Sequence, residues 1–199
     1  MSTPTLITVI DKVSGLQKQI NSADYDPLLY IKLTNDITVI DNTTTLGEIK
    51  RTIWFNSLAV AITDNTTNGG AGSYNLPAFP EGDIDWHGCV TDMQLTGSGG
   101  LANTAAVVAS VGSVAAAADA TLSGTEADML ASTAVTLSSL TANMRTATAT
   151  AQKGNFDGTA GAIVPKLNFA VPDAGILGNG TITITGFMVM NFRLLGDHA

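Results

Sequence analysis

Residues 181–195 read T-I-T-I-T-G-F-M-V-M-N-F-R-L-L. The first five alternate strictly, with β-branched side chains at every position, and only an extended strand can present such a pattern as two distinct faces. Gly186 stands where the alternation gives way to a continuous apolar run. That predicts a bulge or bend carrying the strand from a half-exposed to a buried position.

The rest of the chain supplies candidates. Residues 5–10 (T-L-I-T-V-I), 28–33 (L-L-Y-I-K-L), 36–40 (D-I-T-V-I), 49–62 and 163–171 are short and rich in β-branched and aromatic side chains, and turn-forming residues separate them. Residues 64–73 (D-N-T-T-N-G-G-A-G-S) read as a projecting polar loop, because glycine carries the largest backbone entropy. Both chain ends read as strands, and pairing them in one sheet would make residues 1–199 a single domain. Residues 1–60 are alternatively an arm reaching a neighbouring subunit. The fold class expected is mainly β, a jelly-roll-like antiparallel β-sandwich with one short helix.

Residues 101–151 hold sixteen alanines, which favours helix, but Gly112, Gly124 and many threonines lower that propensity. Residues 107–114 (V-V-A-S-V-G-S-V) fit a strand in which small residues admit a close neighbour. The short helix is placed in S-G-T-E-A-D-M-L-A-S, with Thr125 as its cap and Glu126 and Asp128 in its first turn.

Composition narrows function mainly by exclusion. Only 13% of the residues are charged, and nine basic side chains against seventeen acidic ones give a net charge of -8. Nucleic acid and anionic membranes are therefore poor partners, since only Lys50 and Arg51 place two cations side by side. One cysteine makes neither an internal disulfide nor a C-x-x-C zinc site, so stability must come from packing. The run 101–122 is too polar for a membrane span. The opening M-S-T-P-T-L-I-T-V-I-D-K has no basic start or long apolar run, so a protein made and kept in a cytosol is expected.

Residues 79–92, F-P-E-G-D-I-D-W-H-G-C-V-T-D, concentrate the reactive side chains. Simple alternation from Gly82 puts Asp83, Asp85, His87 and Cys89 on one face, with Ile84, Trp86, Gly88 and Val90 on the other. Two carboxylates, an imidazole and a thiol are metal-ligating types, yet same-face neighbours sit roughly 7 Å apart, too far for all four to hold one ion. The plainer reading is a strand with a solvated polar face, anchored by Trp86. Cysteine catalysis lacks the activating context that a thiolate needs. Residues 64–70 and 157–161 fall short of a calcium loop, and residues 97–100 lack the Lys-Ser/Thr of a phosphate loop. No cofactor and no catalytic residue is expected. Trp54, Phe55, Tyr74 and Trp86 are either core residues or an aromatic platform for sugars.

Three segments together, F-P-E-G-D-I-D-W-H-G-C-V, S-V-A-A-A-A-D-A-T-L-S-G-T-E-A-D-M-L-A-S-T and G-T-I-T-I-T-G-F-M-V-M-N-F, resemble small jelly-roll virion proteins of tailed bacteriophages over residues 76–195. The resemblance implies a non-enzymatic capsid decoration or cement protein, made in the host cytoplasm and residing in the virion. It also implies a homo-oligomer, a trimer favoured, that grips the major capsid protein or other virion proteins. Trp54, Phe55 and Trp86 would be contact anchors in that setting where they are exposed in the isolated protomer. A glycan-binding or adhesin-type β-sandwich is the alternative function.

Overall fold

The computed structural model describes residues 6–11, 17–21, 30–32, 36–44, 47–117, 120–149 and 152–196. Thirteen strands occur there: β1 (Leu6–Asp11), β2 (Gln17–Asn21), β3 (Tyr30–Lys32), β4 (Ile37–Thr43), β5 (Glu48–Asp64), β6 (Gly70–Asn75), β7 (Asp83–Leu101), β8 (Ala106–Gly112), β9 (Leu130–Thr136), β10 (Thr141–Ala147), β11 (Gly154–Phe156), β12 (Lys166–Val171) and β13 (Ile176–Gly196). Every strand pairing is antiparallel. The fold is a jelly-roll-like antiparallel β-sandwich. Helix among the described residues comprises the single 3-10 turns Gly124–Glu126 and Asp173–Gly175 and one further 3-10 residue, Gln152, and no helix among them is long and apolar enough to cross a membrane.

The ten strands β4–β13 form one curled sheet in the order β10-β7-β13-β5-β6-β12-β8-β9, with β4 added to β5 and β11 to β7. It bends where the last residues of β5 leave β13 and pair with β6, Thr63 opposite Ala71 and Asp64 opposite Gly70. One leaf is therefore β4, β5, β13, β7, β10 and β11, and the other is β6, β12, β8 and β9. Between them lies a single apolar cluster drawn from both leaves, including Ile53, Phe55, Trp86, Met93, Val107, Phe169, Met188 and Phe192. The Trp86 indole N–H bridges the layers by donating to the Met129 carbonyl at 3.2 Å.

The chain ends do not share a sheet. β1 pairs with β2 and β3 in a three-stranded sheet of its own, whereas β13 runs between β5 and β7. Sequence treats all strands alike, and partner choice depends on which faces must be covered.

The polar loop is also shorter than expected. Gly69, Gly70 and Ala71 are buried and β6 begins at Gly70, because the missing side chains are what let this strand pack. A Cβ on Gly70 would lie 2.5 Å from Ile176 Cδ1, and one on Gly72 would lie 2.0 Å from the Ala61 carbonyl oxygen. The alanine-rich stretch supplies the strands β8, β9 and β10, in line with the expected strands. Its helical turn is capped by Ser123 rather than Thr125: the Glu126 amide donates to the Ser123 carbonyl at 3.1 Å, and the Glu126 carboxylate accepts the Ser123 N–H at 3.0 Å.

Two polar side chains organise the interior edges. Arg51, only 6% exposed, donates to both carboxylate oxygens of Asp41 at 2.9 and 2.8 Å and to the Pro77 and Ala78 carbonyls at 3.0 and 2.7 Å. Its guanidinium also lies over the rings of Phe79 and Phe192. It thereby ties edge strand β4 and the Pro77–Ala78 backbone to β5, and those four acceptors offset the cost of burying a cation. Asn168, fully buried on β12, holds the segment that crosses the second leaf. Its Nδ2 donates to the Val114 and Glu126 carbonyls, and its Oδ1 accepts from Ser73 Oγ and the Ala116 amide.

Candidate functional site

Two bulges decide which side chains face outward on the first leaf. Regular alternation on β7 turns Ile84 and Trp86 inward, and it would turn Val90, Asp92 and Gln94 inward too. Instead the register against β13 shifts at His87: Asn191 pairs with Gly88 but Phe192 pairs with Trp86. Gly88 adopts φ +122, a conformation that side chains rarely tolerate. From there the parity reverses. Cys89, Thr91, Met93 and Leu95 point into the core, and Val90, Asp92 and Gln94 point out.

Cys89 therefore does not share a face with Asp83, Asp85 and His87 as plain alternation predicts. It is 2% exposed, and burial pushes its thiol up to about 12, well away from a reactive thiolate. Both nitrogens of His87 meet carboxylates, Nε2 with Asp85 at 2.9 Å and Nδ1 with Glu48 at 3.0 Å. No group of three or more His, Cys, Asp or Glu side chains among the described residues is placed to hold a metal ion.

The second bulge lies on β5. Ile184 pairs with Leu58 and Thr185 with Asn56, leaving Ser57 as the extra residue at φ +60. The bend anticipated at Gly186 thus occurs on the partner strand, while Gly186 itself takes φ +127 with its Cα side pressed toward the Asp92 carbonyl. Phe55 and Ile53 face the core, and Trp54 faces outward.

With the parities set this way, two rows cross the outer face of the first leaf. Trp54, Phe187, Asp92 and Arg145 are cross-strand neighbours on β5, β13, β7 and β10, and Thr185, Gln94 and Asn143 form the adjacent row. Together Trp54, Asp92, Gln94, Asn143, Thr185, Gly186 and Phe187 line a shallow cleft of about 300 Å³. Trp54 and Phe187 pack with ring centroids 5.1 Å apart at 47°, in a small apolar cluster with Ile40 separate from the main core. Trp54 is only 7% exposed, so the half-buried Phe187 offers the accessible ring and Trp54 backs it.

The polar wall is held in place. Arg145 donates from Nε to Asp92 Oδ1 and from a terminal nitrogen to Oδ2, both at 2.9 Å. This bidentate pair fixes the carboxylate plane while leaving acceptor capacity free. Gln94 and Asn143 are exposed and bring amide donors and acceptors. No basic side chain among the described residues lines the cleft itself.

The four aromatic residues singled out from sequence therefore divide. Phe55 and Trp86 are fully buried, so neither is a contact anchor. Tyr74 packs half-buried against the main core, and Trp54 alone reaches the cleft. Phe187, Asp92, Gln94 and Asn143 were not foreseen. Phe187 lay inside an apolar run that read as core, and the β7 residues depend on a bulge that sequence did not disclose.

No protein-family model matches the chain. No curated protein matches it. A solved structure titled "CBM4 structure and function" overlays 75% of this chain and 87% of its own at 15% identity, with a TM-score of 0.37. At that level the likeness carries neither a function nor a site to this chain.

Proposed function

We propose that the protein is a non-catalytic binding module that holds a neutral glycan in the cleft beside Phe187. The observation that supports this reading is the pairing, in one cleft, of an accessible aromatic ring with a fixed carboxylate and two exposed amides. A sugar ring has apolar C–H faces and a rim of hydroxyls that both donate and accept. Phe187 suits the former, and Asp92, Gln94 and Asn143 suit the latter. An acidic ligand fits poorly, because no basic side chain among the described residues lines the cleft, the adjacent Arg145 is already paired with Asp92, and the chain carries a net charge of -8.

The decoration role in a phage capsid rests on the sequence resemblance alone, since nothing in the comparisons shows a virion protein. The two readings separate in solution. Titration of isotope-labelled protein with a panel of neutral oligosaccharides is expected to shift the Trp54 indole N–H and the Gln94 and Asn143 side-chain amides together. A chelator-insensitive trimer by light scattering that binds none of the panel would favour the virion role instead.

A further inference from the structure

We propose that His87 is a proton-operated clasp that joins the start of β5 to the start of β7 across β13, closed in acid and open in alkali. This inference is independent of the glycan cleft. It begins with donor arithmetic. Nδ1 lies 3.0 Å from Glu48 Oε1 and Nε2 lies 2.9 Å from Asp85 Oδ2, and ionised carboxylates only accept hydrogen bonds. Both contacts are satisfied only when both ring nitrogens carry protons, that is, by the imidazolium. A neutral imidazole has one N–H, so one of the two contacts must become a lone pair facing an anion.

The three residues come from different parts of the leaf. Glu48 opens β5, Asp85 and His87 lie on β7, and these strands are not neighbours, because β13 runs between them. The residue between the two carboxylates in register is Arg193, paired with Glu48 on one side and Asp85 on the other. Its Nε is buried and has no hydrogen-bond partner among the described residues. Arg193 is thus a second cation placed to take a carboxylate that the imidazole releases, which gives the cluster two arrangements rather than one closed state. The other charged groups nearby are Lys50, on the same strand as Glu48 and two residues on, Lys153, which shares a notch of about 260 Å³ with His87, Thr148 and Asn191, and Asp83, two residues before Asp85 on the same face of β7. The two cations favour the open arrangement and Asp83 the closed one.

The pKa of His87 is raised above its ordinary 6.5, first by the Asp85 hydrogen bond and then by the Glu48 one, with partial burial opposing them. A raised folded-state pKa stabilises the fold fully below 6.5, and that contribution disappears as pH rises through the folded value. For each unit of elevation, the unfolding equilibrium constant is expected to rise tenfold across that window.

The test uses the full chain carrying His198→Gln, which leaves His87 as the only imidazole. Nitrogen-15 NMR should find both His87 ring nitrogens protonated below pH 6.5, with a titration midpoint above 6.5. Urea unfolding from acid to alkaline pH should show a loss of stability that His87→Gln abolishes. Glu48→Gln should lower the NMR midpoint while leaving the Asp85 contact. A midpoint at or below 6.5, or an identical stability profile in His87→Gln, would overturn the clasp. Should His87→Gln fail to fold, the NMR midpoint and its response to Glu48→Gln decide the matter.

Discussion

Replacing Asn168 with leucine tests whether the segment crossing the second leaf is held by one buried amide. Four hydrogen bonds disappear: to the Val114 and Glu126 carbonyls at 2.9 and 2.8 Å, and from Ser73 Oγ and the Ala116 amide at 2.7 and 3.0 Å. The partners are not equally harmed. The Glu126 carbonyl keeps Ser110 Oγ at 2.6 Å, and the Ala116 amide keeps Ser73 Oγ at 2.9 Å. The Val114 carbonyl and the Ser73 hydroxyl proton lose the partners they have. At about 1 kcal/mol net per bond, and up to about 3 for a buried group left bare, the loss comes to about 2–4 kcal/mol after leucine's better burial is credited. That is a large part of the roughly 5–15 kcal/mol typical of a folded domain. Urea denaturation would read it as a lower midpoint at unchanged slope, and hydrogen exchange at Ala116 should quicken. A loss below about 0.5 kcal/mol with Ala116 still protected would refute this account of the segment.

Further outcomes follow from the same packing. Gly186→Ala would place a Cβ 2.3 Å from the Asp92 carbonyl oxygen at a φ of +127, so thermal denaturation should show a destabilisation of about 1–3 kcal/mol; a neutral result would mean that the strands part easily there. Cys89, with its thiol pushed up to about 12, should resist alkylation in the native protein and react rapidly only once urea unfolds it; fast native labelling would contradict its burial. The loss of stability toward alkaline pH assigned to His87 completes the set.

The sequence disclosed strand content well and strand parity poorly. The Thr-Ile alternation at residues 181–185 identified β13, and the β-branched run at residues 49–62 identified β5, because side-chain periodicity is a local property of the backbone. A bulge is equally local in the structure but silent in the pattern: one extra residue at His87, permitted by Gly88, sent Cys89 inward and Asp92 and Gln94 outward. That single shift removed the expected Asp/His/Cys face and built the polar wall of the cleft. Gly69, Gly70 and Gly72 mislead in the opposite way, since glycine serves both mobile loops and close packing, and only the neighbours Val171, Ile176 and Ala61 decide between them. Trp54 and Phe55 are adjacent, so one of them had to face away from the core, but which one depends on the parity of β5.

Calorimetric titration of neutral oligosaccharides into the wild-type protein and Phe187→Ala tests the central claim most directly. Phe187 lies on the outer face, away from the main core, so the variant should keep its fold. The account predicts saturable binding to at least one oligosaccharide and a loss of affinity of tenfold or more in Phe187→Ala, a little over 1 kcal/mol of contact with the ring. Binding that survives the substitution unchanged, or a wild-type protein that binds no member of the panel, would contradict it.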